Sequence, residues 1–82
     1  MSKQYIVASS STCGPCHMLK NLIKTNNIEV EIKDYTKPED IPFFKEYAIK
    51  AVPRLVIIED GTYETIQGVS DIIEALKNRE IN

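Results

Sequence analysis

The chain has no long apolar run: Tyr5 to Ala8 and Leu55 to Ile58 are its best uncharged hydrophobic stretches. A membrane span takes about 20 such residues and an export signal about 7 to 15. Neither is expected, and the sequence therefore predicts a cytoplasmic protein. Positive charge is not in excess either, since ten basic residues face twelve acidic ones for a net charge of -2. No basic field exists to hold a phosphate backbone, so nucleic acid and membrane surfaces are not expected partners. Cysteine is scarce, with two residues in 82. In a reducing compartment two cysteines do not staple a fold; they point to redox chemistry or metal binding. Repeats, linkers and low-complexity tracts are also missing. What remains is 43% apolar and 27% charged, the proportions of one globular domain spanning residues 1–82, expected to act as a monomer.

Gln4 to Ala8 is short, β-branched and aromatic and runs into a Ser/Thr cluster, which reads as a buried first strand. Met18, Leu19, Leu22 and Ile23 then recur on one helical face, ended by Asn26 and Asn27. Ile28, Val30 and Ile32 alternate with charged residues, the period of a half-exposed edge strand. Thr36 and Glu39 form a capping box that predicts a helix to about Ile49, with Ile41, Phe44, Tyr47 and Ala48 on its core face. Leu55 to Ile58 and Thr62 to Ile66 flank Asp60-Gly61, a hairpin signature. Ser70, Asp71 and Glu74 open a last helix that buries Ile72, Ile73 and Leu76. The order βαβαββα, with a right-handed crossover and a hairpin, predicts an α/β fold: a four-stranded mixed sheet with three helices on its two faces.

The one group with chemistry in it is Cys13-Gly14-Pro15-Cys16, at the junction of the first strand and the first helix. A helix start offers unpaired N–H groups and the positive end of the helix dipole. Both favour thiolate over thiol, and a helix terminus supplies up to about 2 kcal/mol to a charge so placed. Cys13 is the expected nucleophile. Cys16, one turn on, is more buried and within reach of Cys13, and is the expected resolving thiol of a disulfide-exchange cycle. The redox-active element would be a Cys13–Cys16 disulfide, with no bound cofactor and no metal. Three other readings stand beside this one. A zinc site needs four ligands, and the chain has no third cysteine and one histidine. Cys13 to His17 also spells the attachment motif of a c-type haem, which would require export. Or both cysteines are inert core residues. His17 reads as an exposed first-turn side chain rather than as a base.

Together these residues resemble the thioredoxin superfamily, and most closely its small glutaredoxin-like members. Cys13-Gly14-Pro15-Cys16 has the thioredoxin form, with Thr12 where thioredoxins carry Trp. Ala51-Val52-Pro53-Arg54 looks like the family's cis-proline loop, and Gly68-Val69-Ser70-Asp71 falls where glutaredoxins carry a glycine turn. The resemblance implies a cis Val52–Pro53 bond lying against the sulfurs, with the Val52 backbone pairing with substrate. It also implies that Ser70 and Asp71, assisted by Arg54, could receive the γ-glutamyl end of glutathione, although the same two residues could simply cap the helix. Ser9, Ser10 and Ser11 stand where glutaredoxins have a Lys, and Val69 replaces a second glycine. Gly followed by a bulky residue is similar instead to the redoxin that serves ribonucleotide reductase and is recharged by thioredoxin reductase. The first strand lacks the buried acid that takes the proton of the resolving thiol in thioredoxins. The expectation is a thiol-disulfide oxidoreductase acting on protein disulfides, with thioredoxin reductase or glutathione as reductant.

Overall fold

The fold is built around Gln4–Ser9 (β1), a strand with neighbours on both sides. A computed structural model describes residues 3–81. β1 is followed by Gly14–Thr25 (α1), Glu31–Asp34 (β2), a 3-10 turn over Pro38–Asp40 that leads into Ile41–Glu46 (α2), Arg54–Glu59 (β3), Thr62–Gln67 (β4) and Val69–Ile81 (α3). The sheet order is β2-β1-β3-β4. β1 and β2 are parallel, joined by the crossover through α1, and the other two pairs are antiparallel. This is the thioredoxin-like α/β arrangement, a mixed four-stranded sheet with three helices.

Alternation along the two central strands divides the core in two. Val7, Leu55 and Ile57 face α1 and α3 and pack with Leu19, Ile23, Ile28, Ile72, Ile73 and Leu76. Ala8 and Val56 point the other way, against Phe44 and Ile49. Both faces of β1 are covered, so Ile6 through Ser10 are all buried.

Four expectations shift by a turn or less. On α1 the inward line is Cys16, Leu19 and Ile23, spaced three and four apart. Met18 and Leu22, each about 100° round the helix from that line, stay exposed at 60% and 36%. β2 begins at Glu31, because Ile28 is still tied to α1 by its N–H to the Ile23 carbonyl (3.0 Å); Ile28 reaches the core from a loop. The Thr36/Glu39 capping box does not form. Thr36 turns back to bond Asp34 instead, and Lys37 precedes the 3-10 turn without a side-chain cap. α2 ends at Glu46, and Ala48 adopts φ 52° and stays exposed while Ile49 folds in, its N–H on the Phe44 carbonyl (2.9 Å). A left-handed residue after a helix re-aims the chain, which is why Ile49 replaces Ala48 in the core.

The hairpin between β3 and β4 turns at Asp60 (φ 51°) and Gly61 (φ 80°), the positive pair that matches the twist of the flanking strands. α3 starts at Val69, directly after Gly68 (φ 99°), so Ser70 and Asp71 lie inside the first turn rather than ahead of it. No helix among the described residues is long and apolar enough to cross a membrane.

Leu19→Ala or Leu76→Ala, each at a fully buried position, should cost about 2–5 kcal/mol in urea unfolding. Met18→Ala should change stability by less than about 0.5 kcal/mol. Equal losses at Met18 and Leu19 would contradict the packing of α1.

Candidate active site at the start of the first helix

β1 ends in Ser9, and the chain then turns sharply: the Cys13 N–H donates to the Ser10 carbonyl at 3.2 Å, closing a four-residue turn from Ser10 to Cys13. Cys13 is the N-cap of α1, with extended dihedrals (φ -103°, ψ 120°). Its side chain does what Ser or Asp does at that position, accepting a hydrogen bond from an otherwise orphan backbone donor. The Cys16 N–H points at the Cys13 Sγ, 3.2 Å away. Pro15 sits in the first turn, where a missing N–H costs nothing. Gly14 and Pro15 are both exposed, which leaves the approach to the sulfur open.

The two thiols are free and unequal. Cys13 is partly exposed and Cys16 is 0% exposed. Burial, followed by the hydrogen bond to Cys13 and the charge there, pushes the Cys16 thiol up to about 11. The Ser10 backbone and the Lys20 ammonium act in the opposite direction. One sulfur is therefore presented to solvent against a helix N-terminus, while the other is kept protonated beneath it.

Across from Cys13 lies the loop before β3. The Val52–Pro53 bond is cis and Pro53 is buried. The Cys13 thiol meets the Val52 carbonyl at 3.8 Å. Beside them a groove of about 420 Å³ is lined by Ser10, Tyr35, Phe44, Ile49, Lys50 and Val52. Thr12 is exposed and shares a 3.0 Å hydroxyl contact with Ser10. Arg54 gives a guanidinium N–H to Gln67 Oε1 (2.9 Å), its cross-strand neighbour on β4. Gly68, Ser70 and Asp71 lie at the start of α3, exposed, with Val69 half-buried; no hydrogen bond among the described residues ties their side chains to the cysteines.

A second group escaped the sequence reading. Asp34 closes β2 opposite Ser9, in register, and is 6% exposed. Its Oδ2 accepts the Ser11 hydroxyl (2.6 Å) and its Oδ1 accepts the Ser11 N–H (3.3 Å). Oδ1 also takes the Thr36 hydroxyl (2.6 Å) and the Thr36 N–H (2.8 Å). Lys20 Nζ stands 4.0 Å from Oδ2, and the Asp34 N–H is itself held by Asp40 Oδ2 at 2.9 Å. The Ser11 and Thr36 hydroxyls, reinforced by the Thr36 N–H, hold the Asp34 carboxyl well below the usual carboxylate range. The available signal was the parallel crossover, which sets the end of the second strand beside the end of the first. His17 is exposed, with Nε2 2.9 Å from the Ser11 carbonyl.

The glutaredoxin family model matches residues 5–63, a segment that contains Cys13, Cys16 and Pro53 and stops before Gly68. The chain belongs to the glutaredoxin family. No curated protein sequence matches it. Among solved structures this glutaredoxin-family chain is similar to thioredoxin Mala s 13 of Malassezia sympodialis, with TM-score 0.73 and 21% identity over 93% of this chain and 73% of that one. It is similar also to an N21Q mutant thioredoxin of Halobacterium salinarum NRC-1 (TM-score 0.70, 25% identity, 96% and 73% covered). Mitochondrial thioredoxin 3 of Saccharomyces cerevisiae gives TM-score 0.67 and 24% identity, with 93% and 77% covered. The domain thus carries a glutaredoxin-type sequence on a fold shared with thioredoxins.

Because the folded Asp34 carboxyl is depressed below its unfolded value of about 3.9, its ionised form stabilises the fold above that pH, and this contribution fades as pH falls below about 4. Asp34→Asn should therefore cost about 2 kcal/mol at pH 7, the scale of a hydrogen bond to a charged group. The difference in melting temperature from the parent should shrink between pH 5 and pH 2, and a gap that stays constant over that range would contradict the assignment.

Proposed function

We propose that the protein is a dithiol–disulfide oxidoreductase that reduces protein disulfides, with Cys13 as attacking thiolate and Cys16 as resolving thiol. The observation that carries the proposal is the Cys16 N–H on the Cys13 Sγ at the start of α1, which sets a partial positive charge against the exposed sulfur. In the first step the Cys13 thiolate attacks one sulfur of the substrate disulfide. A Cys13–substrate disulfide forms, the substrate S–S bond breaks, and the departing thiolate takes a proton from solvent. In the second, Cys16 loses its proton and attacks the Cys13 sulfur; the Cys13–Cys16 disulfide forms and the second substrate thiol leaves. The substrate has gained two electrons and two protons: both electrons and the Cys16 proton come from the protein, and solvent supplies the other proton. The raised Cys16 thiol keeps the second sulfur protonated until the Cys13 negative charge is consumed in the mixed disulfide.

The Val52 carbonyl beside Cys13 and the adjoining groove supply backbone and side-chain contacts for an extended segment of a protein substrate. Ribonucleotide reductase is the candidate that the sequence resemblance names. The bulky Val69 after Gly68 and the lack of a Lys shortly before the motif favour recharging by thioredoxin reductase; the proposed setting is the cytoplasm, with the protein acting as a monomer. Membership of the glutaredoxin family favours a second reading in which glutathione restores the dithiol, with Arg54, Ser70 and Asp71 contributing to its binding.

With dithiothreitol as electron source, Cys13→Ser should lower insulin reduction to the rate of dithiothreitol alone. Cys16→Ser should accumulate a covalent Cys13–insulin adduct visible by mass spectrometry. Parental rates in both variants would overturn the mechanism. Oxidised protein should be reduced by NADPH with thioredoxin reductase; reduction by glutathione in its place establishes the second reading.

A further inference from the structure

The turn from Ser10 to Cys13 decides where the Cys13 sulfur points; its internal bonds, Cys13 N–H to the Ser10 carbonyl and the Thr12 N–H and hydroxyl to Ser10 Oγ, close it on itself without fixing its Ser11 corner to the sheet. Ser11 and Thr12 are both exposed, and the chain has no tryptophan at all to pack there. The tether is instead the Asp34 carboxylate. It receives two donors from one residue, the Ser11 hydroxyl on Oδ2 and the Ser11 N–H on Oδ1. Two bonds to a single residue fix its orientation as well as its position.

These bonds are not required to satisfy Ser11, which could give both donors to water. They are not required to satisfy Asp34 Oδ1 either, since Thr36 supplies that oxygen with two donors from the next loop. Behind the carboxylate the arrangement is stiff: the Asp34 N–H is held by Asp40 Oδ2, and Asp40 Oδ1 stands 3.7 Å from Lys33 Nζ. Ahead of it, the Ser11 carbonyl is met by His17 Nε2 from the first turn of α1. A continuous set of contacts thus runs from the end of β2, through the corner of the turn, to the helix that carries both cysteines.

We propose that Asp34 is a positioning residue for thiol–disulfide exchange: acting through Ser11, it fixes the Ser10–Cys13 turn and so the direction in which the Cys13 sulfur meets an incoming disulfide. The proposal rests on the oxidoreductase reading above. Attack on a disulfide proceeds along the axis of the breaking S–S bond, and misplacement of reacting atoms by about 1 Å can cost about a hundredfold in rate. Partial loosening of the turn should cost about tenfold.

The test is the second-order rate at which reduced protein cleaves 5,5′-dithiobis(2-nitrobenzoate) in stopped flow, for variants shown to be folded by circular dichroism. Asp34→Asn and Ser11→Ala should each slow cleavage about tenfold. The double variant should be no slower than the slower single, because both changes cut one linkage. Ser11→Thr, which keeps the hydroxyl and the N–H, should restore a rate within about twofold of the parent. A parental rate in folded Asp34→Asn, or single effects that multiply in the double, would overturn the proposal and leave the oxidoreductase reading standing. A parent that fails to cleave the reagent would overturn both. Ser11→Ala, at an exposed position, gives the same decision if Asp34→Asn does not fold: slowed cleavage supports the linkage and a parental rate overturns it.

Discussion

A single backbone N–H, that of Cys16, aimed at a sulfur three residues earlier, organises this molecule. For the contact to exist, Cys13 must leave β1 in an extended conformation and cap a helix whose first turn contains Pro15. Cysteine replaces the oxygen acceptor usual at such a position. The cap is therefore a sulfur, held by a backbone N–H against the positive end of the helix dipole. The strand, the turn and the helix can be read as the apparatus that holds this one geometry.

The same arrangement makes the two sulfurs different although they are close in sequence. α1 is pressed onto the sheet by Cys16, Leu19 and Ile23, so Cys16 is part of the core while Cys13 remains at its rim. Burial raises the inner thiol; the outer one sits partly exposed at the helix terminus. An exchange cycle needs this asymmetry, because one sulfur must react with the outside and the other only with its neighbour. The buried Pro53 and the Val52 carbonyl complete the rim from the opposite side.

Much of this could be read from the residues themselves. Short β-branched apolar runs marked β1 and β3, Asp60-Gly61 marked the hairpin, and the cysteine motif fell at a strand–helix junction, since each depends on local chemistry. The misplacements share a different cause. Met18 and Leu22 have the spacing of a core face, but Cys16 rotates that face because it too is buried. Thr36 has the form of a helix cap, yet Asp34 offers its hydroxyl a better acceptor two residues back. Ile28 and Ile49 reach the core from loops, which periodicity cannot signal. Asp34 shows the limit most plainly: in the sequence it is one acid in a charged stretch, and only the parallel pairing of β1 with β2 sets it beneath Ser11.

The most direct measurement of the asymmetry between the sulfurs is partial alkylation. Reduced protein treated at pH 7 with less than one equivalent of iodoacetamide, then digested and mapped by mass spectrometry, should carry the label on Cys13 alone, with Cys16 reacting only after unfolding. Comparable labelling of both cysteines in the folded protein, or labelling of Cys16 first, would contradict the assignment of an outer nucleophile over an inner resolving thiol.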